Sequence, residues 1–216
     1  MSNLYSVGQM NQLGDSFEVE GFTADDVTKL RQYSNLAGIK AVLNGTAKIQ
    51  PVGEDVARTI TINETTIAVN LGAVPKPPFD GTEVEQHIGK GWSIVEKRTD
   101  GLYVDGRKVI LHLSKRQKNG KLLKGHELRE ELTGKPVLDA NIFDALLSNL
   151  HLIPEDWKKD ENDNTRYIFF WGTIYRNSDR PLFVRCLYFG DGRWRSGCIW
   201  LGGGWSGSYP AALRAS

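Results

Sequence analysis

The chain has 216 residues, of which 40% are hydrophobic and 25% charged, with 27 Lys and Arg set against 26 Asp and Glu. That length builds a sizeable core, and a net charge of +1 advertises no bulk polyanion, so nucleic acid is not an expected partner. No apolar run approaches the ~18 residues of a membrane span, and Met1 to Ser6 lack the basic and apolar regions of a secretory signal. A cytoplasmic product without membrane insertion is therefore expected as synthesised, with extracellular or virion display left open.

Residues 1–20 are polar and poorly patterned, and read as an arm. Thr23 before Ala24-Asp25-Asp26 is an N-cap followed by first-turn carboxylates, and Val27, Leu30 and Tyr33 continue at helical spacing. A second short helix is expected from Ala37 to Leu43, ending at Asn44-Gly45. Residues 57–72 alternate and are rich in β-branched types, which predicts a hairpin turning near Asn63-Glu64. Val74-Pro75-Lys76-Pro77-Pro78 is a stiff break. Residues 1–84 are accordingly expected to hold an arm, a helical pair and the hairpin, and 85–216 a second domain.

Beyond the break, strands are expected at Trp92 to Lys97 and Val109 to Leu113, joined through the turn-rich Asp100-Gly101 and Asp105-Gly106. Lys115 to Lys124 reads as a solvated basic turn, and His126 to Leu132 and Ala140 to Leu150 as helices. Three closely spaced strands follow: Tyr167 to Tyr175, Leu182 to Phe189, and Arg193 to Leu201, the last two joined at Gly190-Asp191-Gly192. A Gly-rich stretch, 202–209, precedes Pro210-Ala211-Ala212-Leu213. The order of strands, two helices and terminal hairpins is that of an α+β domain.

Familiar catalytic and metal motifs fail on inspection. His126-Glu127 opens like a zinc-protease helix, but Glu130 stands where the second histidine is required. Asp160-x-Asn162-x-Asn164 opens like a calcium loop, yet Thr165 replaces the glycine and Trp171 the bidentate glutamate. Gly202-x-Gly204-x-x-Gly207 matches a dinucleotide fingerprint in letters only, because too little chain follows to supply the helix that holds a pyrophosphate. His87, His112, His126 and His151 are scattered, and Cys186 and Cys198 are too few for a disulfide framework, so they read as free thiols. No catalysis, cofactor or metal is expected.

The tail is compositionally different. Residues 1–186 contain 34 Lys, Glu, Gln or Met, whereas the last thirty contain none; about five would be expected at the same frequency. The same thirty hold 7 of the 23 glycines and 3 of the 6 tryptophans. From Tyr188 to Tyr209 the vocabulary is Tyr, Ser, Gly, Trp and Arg, which antibody paratopes use for contact area and adaptable backbone. The missing types are those that codons ending in C or T cannot encode, and TGG, having no adenine, would survive substitution confined to adenines. Strand alternation places Arg195, Gly197 and Ile199 on one face, opposite Trp194 and Trp200.

Arg166 to Arg176 (Arg-Tyr-Ile-Phe-Phe-Trp-Gly-Thr-Ile-Tyr-Arg), Val184 to Tyr188, Gly192-Arg193-Trp194, Trp200-Leu201, Trp205 and Pro210 to Leu213 resemble the C-terminal half of variable proteins of diversity-generating retroelements. Lys135 to Asn141 and Leu152 to Lys158 are similar to that family as well, and the resemblance covers roughly 85–216. It implies a C-type lectin-like fold, in which early and late strands pair, two helices flank them, and 188–209 is the variable region. Template-asparagine positions of the family match Arg195, Gly197, Ile199, Gly203, Ser206, Ser208 and Tyr209, while Cys198, Gly202 and Gly204 match other adenine-containing codons. With Phe189 and Ser196 these are the expected ligand-binding residues. Arg195, Ile199 and Tyr209 are expected to give most of the contact area, and Ser206 and Ser208 the hydrogen bonds. Trp171, Trp194, Trp200 and Trp205 are the expected scaffold. The function so implied is recognition of a protein or glycan by a hypervariable surface, with homo-oligomerisation compatible. The alternatives are an attachment or structural protein of a virion or cell surface, or a formylglycine-generating-like enzyme using Cys186 and Cys198.

Overall fold

The computed structural model describes residues 6–19, 21–24, 27–28, 44, 59–118 and 120–215. The chain divides into two compact units, Met1–Pro51 and Val52–Ser216.

In the first unit the stretch expected to be an unpatterned arm holds a helix, α1 (Val7–Val19). Local chemistry bounds it at both ends. The Ser6 hydroxyl accepts the Gln9 N–H, and the Gln9 side chain accepts the Ser6 N–H, a reciprocal capping box. At the other end Gly21 has φ 79°, Gly21 N–H donates to the Glu18 carbonyl and Phe22 N–H to that of Phe17. That is a Schellman closure, and the rings of Phe17 and Phe22 supply its apolar contact at 5.0 Å. Val27 N–H donates to the Thr23 carbonyl, as the predicted N-cap requires. The remainder of that helix and the one expected from Ala37 to Leu43 lie outside the described residues.

The second unit is α+β. Its thirteen described strands are β1 (Thr59–Asn63), β2 (Thr66–Asn70), β3 (Thr82–His87), β4 (Trp92–Arg98), β5 (Gly101–Val104), β6 (Arg107–His112), β7 (Leu123–Lys124), β8 (Tyr167–Phe169), β9 (Thr173–Asn177), β10 (Leu182–Gly190), β11 (Arg193–Trp200), β12 (Gly204–Trp205) and β13 (Ala211–Arg214). Helices α2 (Gly125–Leu132) and α3 (Ala140–Ser148) stand near where periodicity puts them. Eleven strands form one sheet in the order β1-β2-β4-β5-β6-β13-β8-β10-β9-β3, with β11 joined to β10, and β7 pairs β12 separately. The division expected after residue 84 is therefore displaced. The 59–70 hairpin joins the sheet through β2 and β4, and β3 pairs β9.

Two further expectations are corrected. The turn-rich segment after Asp100 contains β5, and it turns into β6 on Asp105 and Gly106, at φ 51° and 74°. The run from Tyr167 to Tyr175 is two strands, because Gly172 N–H donates to the Leu138 carbonyl and not to a neighbouring strand. A Cβ on Gly172 would stand 2.9 Å from the backbone of Asp139, so only glycine permits that crossing.

The centre of the sheet is buried on both faces. Along β8 and the residues after it, Ile168 and Phe170 join a core with Phe143 and Leu146 of α3, whereas Phe169 and Trp171 join another with Leu128 and Leu132 of α2. Along β13, Ala212 belongs to the α3 side, and Ala211 and Leu213 to the α2 side. Alternation thus places one helix on each face. Trp205, fully buried, packs on Phe169 and Trp171 at 4.3 and 4.8 Å between ring centroids.

Trp205 also fits against the first residue of α2. A Cβ on Gly125 would come within 2.4 Å of the indole nitrogen and 2.6 Å of the Leu201 carbonyl. Gly125→Ala is expected to cost ~1–3 kcal/mol by overpacking, read from urea unfolding. An unchanged midpoint would show that this contact does not set the position of α2.

Candidate binding surface at the C-terminal strands

Strand β11 pairs β10 along one edge, in the register Tyr188↔Arg195, Cys186↔Gly197 and Val184↔Ile199. The Asp191-Gly192 turn, with φ 50° and 73°, has the twist a two-residue hairpin needs. Register and alternation place Arg195, Gly197 and Ile199 on the α2 face of the sheet, as expected from the sequence. Ser196 and Cys198 face the other way, with Phe189, Trp194 and Trp200. The twelve expected ligand-binding residues therefore do not form one strand face.

On the α2 face the surface is aromatic. Tyr167 of β8 pairs with Tyr188 of β10, and their rings stack at 4.9 Å. Tyr209 meets Tyr167 edge-on at 5.3 Å. All three are half-buried, and their hydroxyls find no hydrogen-bond partner among the described residues. Burial raises the pKa of the Tyr209 hydroxyl, and Tyr167 and Cys186 add to the effect, so it stays a neutral donor at physiological pH. Tyr167 and Tyr188 were not among the expected contact residues. Their signal was the pairing of two tyrosines at opposing register, which becomes visible only when β8 and β10 are aligned.

The neighbours of these rings set how open the surface is. Arg195 is turned back onto the hairpin, donating through Nε to the Gly190 carbonyl at 3.2 Å and pairing with Asp191. Ile199 and Tyr209 are half-buried against the α2-side core. Arg195, Ile199 and Tyr209 are thus partly exposed, and none is fully enclosed. A Cβ on Gly197 would lie 3.4 Å from the Tyr188 ring and 3.1 Å from the Cys186 sulfur, so glycine here leaves the ring bare.

The expected variable residues of the 202–208 loop are under distinct constraints. A Cβ on Gly202 would stand 2.1 Å from the Trp200 ring, one on Gly203 3.3 Å from the Trp200 carbonyl, and one on Gly204 3.1 Å from Leu122. Positions 203 and 204 accept side chains with small adjustments, whereas 202 requires the indole to move. The Ser206 hydroxyl accepts the Ser208 N–H at 3.4 Å, a long local bond. Ser208 is committed, because its hydroxyl donates to Asp160 Oδ2 at 3.1 Å. Burial draws the Asp160 pKa up, but N–H groups of Asn164 and Asn162, the Asn164 amide and this hydroxyl outweigh it and hold the carboxyl below its usual value.

Gln117 is the residue that sequence reasoning overlooked. The segment expected to be a solvated basic turn, Lys115 to Lys124, opens on a short 3₁₀ turn closed by a capping box between Gln117 and the preceding Ser114, each 1% exposed. The Gln117 amide donates to the carbonyls of Ser206 and Tyr209 at 3.0 and 3.1 Å. The Ser-x-x-Gln spacing was its legible sign.

On the opposite face Phe189 meets Trp194 edge-on at 5.4 Å and carries Lys158 Nζ 4.2 Å from its centroid. Ser196 is exposed and Cys198 half-buried. Trp171 and Trp205 are buried, and Trp194 packs against the α3-side core, as a scaffold should. Trp200 is a correction: it is 51% exposed, because β11 extends beyond the footprint of the core on that face. Both cysteines are free, and alternation points them to opposite sides of the sheet. Burial pushes the Cys186 thiol up to about 12 and raises Cys198 less decisively. The two thiols do not form a cooperating pair in this arrangement.

Among the described residues no three His, Cys, Asp or Glu side chains are grouped to hold a metal ion, and no helix is long and apolar enough to cross a membrane. Compared with known protein families, curated proteins and solved structures, the chain matches none.

Trp205→Ala is expected to cost ~3–5 kcal/mol, and Trp200→Ala less than ~1 kcal/mol, in urea unfolding. Equal losses would return Trp200 to the scaffold. Thiol labelling of the native chain at pH 8 is expected to modify Cys198 first and Cys186 only on unfolding, since the thiolate is the reactive form. Mass mapping of the labelled peptides decides the order.

Proposed function

We propose that the unit Val52–Ser216 is a ligand-binding module of C-type lectin-like design, whose surface from β11 to Tyr209 is diversified by a retroelement and recognises a protein or glycan. The observation that carries this reading is how the 201–210 segment is held. Gln117 grips the carbonyls of Ser206 and Tyr209, Tyr167 N–H donates to the Ser208 carbonyl, Phe169 N–H to that of Pro210, and Leu201 N–H to that of Leu182. Every one of these bonds uses a backbone group of the segment or of its anchoring neighbours, so it survives exchange of the side chains at 206, 208 and 209. Trp205, which TGG protects from adenine-directed change, supplies the buried anchor between them.

The architecture supports the same reading. Late strands return to early ones, β13 to β6 and β9 to β3, and α2 and α3 flank the sheet. Exposed or half-exposed positions on β11 and the loop carry residues drawn from the adenine-substituted set, while the fixed indoles of Trp171, Trp194 and Trp205 pack inward. Flat tyrosines with free hydroxyls beside small residues offer contact area and hydrogen bonding at low entropic cost.

Sequencing the DNA beside the gene tests the proposal. A reverse transcriptase gene is expected, together with a near-repeat of the codons for 188–209 that differs only at adenines. A neighbourhood without such a repeat, or with differences scattered over all four bases, overturns it.

A further inference from the structure

Away from β11, the second unit carries a half-open pocket of about 300 Å³, at the lower end of what small-molecule sites occupy. Its apolar wall includes Ile88, Trp92 and Ile142, and its charged wall Lys90, Asp105, Asp139 and Arg214. No residue of 188–209 lines it, so its chemistry is independent of the proposed function.

Asp139 is only 3% exposed and caps α3, its Oδ1 accepting from Asn141 and Ile142 N–H at 2.9 and 3.2 Å. Its Oδ2 finds no hydrogen-bond partner among the described residues. That oxygen lies against Gly89, where an added Cβ would come within 2.5 Å of the Leu71 carbonyl, 2.6 Å of this oxygen and 2.7 Å of His87 Nε2, so only glycine fits beside it. His87 does not serve it: Nε2–H donates to the Leu71 carbonyl at 2.6 Å, and Nδ1 bonds the Thr173 hydroxyl at 2.8 Å. Burial holds the Asp139 carboxyl above its usual range against the pull of its N–H partners, of His87 and of Arg214.

Arg214 faces the same space. One nitrogen of its guanidinium pairs with Asp105 at 3.1 Å, and the others find no partner among the described residues. Asp105 is itself satisfied by Ser93 Oγ and Ile94 N–H, both at 2.9 Å. Asp139 and Arg214 line one cavity yet form no ion pair with each other. Asp139 Oδ2 is an acceptor open to the pocket, and the guanidinium nitrogens of Arg214 that Asp105 does not engage can hold a carboxylate.

We propose that this cavity binds a small zwitterion of the α-amino-acid class, its ammonium on Asp139 Oδ2, its carboxylate on Arg214 and its apolar side chain against Trp92, Ile88 and Ile142. A ligand carrying only the cation makes no use of the Arg214 nitrogens that Asp105 leaves unengaged, and one carrying only the anion leaves Asp139 Oδ2 without a donor. The two charges of a zwitterion satisfy both.

Calorimetric titration of the full chain with L-leucine and with L-phenylalanine tests it, using isoamylamine and 4-methylpentanoate as ligands with one charge each. One site per chain is expected for at least one amino acid, with each single-charge analogue at least tenfold weaker. Asp139→Asn keeps an acceptor for the helix cap and removes the charge, so it is expected to weaken binding at least tenfold while leaving the melting temperature near that of the parent. Arg214→Gln is expected to weaken binding similarly. No binding of either amino acid at millimolar concentration means a cavity filled by water only and overturns the proposal. So does amine binding as tight as that of the amino acid, or undiminished binding by a folded Asp139→Asn chain.

Discussion

A strand buried on both faces must be apolar at successive positions, and in this protein that demand falls on the middle of the sheet. Ile168 and Phe169 of β8, followed by Phe170 and Trp171, send alternate side chains to the α3 and α2 sides. β13 does the same with Ala211, Ala212 and Leu213. Burying a large apolar side chain contributes ~1.5–3 kcal/mol, so these short strands concentrate stabilisation where little chain is used. Everything outside them is built by addition. β10 stands beside this centre, and β11 adds one more strand to β10. Tolerance to change rises along that path, because each step outward loses one covered face.

The loop after β11 combines opposite demands, and its hydrogen bonds resolve them. Its backbone carbonyls are held by Gln117, and by N–H groups of β8 and of the residues around it, while side chains placed at 203 and 204 would need only small adjustments of the Trp200 carbonyl and of Leu122. Position is thus specified by groups that every residue possesses, and identity is left to the side chains. Ser208 departs from this rule, since its hydroxyl is the group that reaches Asp160. Exchange at 208 removes one of several hydrogen bonds to a carboxylate that Asn162 and Asn164 continue to serve.

Periodicity and turn chemistry revealed most elements of the second unit, because the hairpins at Glu64-Thr65 and Asp191-Gly192 and the helices α2 and α3 carry strong local signals. The failures have physical causes. α1 buries no residue, so no apolar stripe advertises it; its evidence was confined to Ser6, Gln9 and Gly21, at its ends. β8 and β9 read as one strand because the buried run from Ile168 to Tyr175 is almost wholly apolar or aromatic, and only the crossing at Gly172 separates them. A TGG codon without adenine marks Trp200 as fixed, but a fixed codon does not require burial, and the side chain is 51% exposed at the end of β11. Cavities are non-local by nature: Asp139 and Arg214 are brought together by α3 and β13, and nothing in either segment foretells the other.

Composition alone delimits the proposed variable surface less sharply than it first suggests. The absence of Lys, Glu, Gln and Met extends back to Asn162, through β8, β9 and β10, beyond the last glutamate at Glu161. Across much of that stretch burial is a sufficient cause, since long polar side chains are excluded from a core covered on both faces. Burial does not account for the exposed positions. Ser196 and Gly204 are open to solvent, and Arg193 shows that a long cation is tolerated on the same strand. Solvent-exposed sites offer little reason to admit arginine and exclude lysine, because both keep their charge in water and differ chiefly in bidentate bonding and stacking. The informative residues are therefore the exposed ones on β11 and its following loop, where surface chemistry is permissive and the choice of residue types is nonetheless narrow.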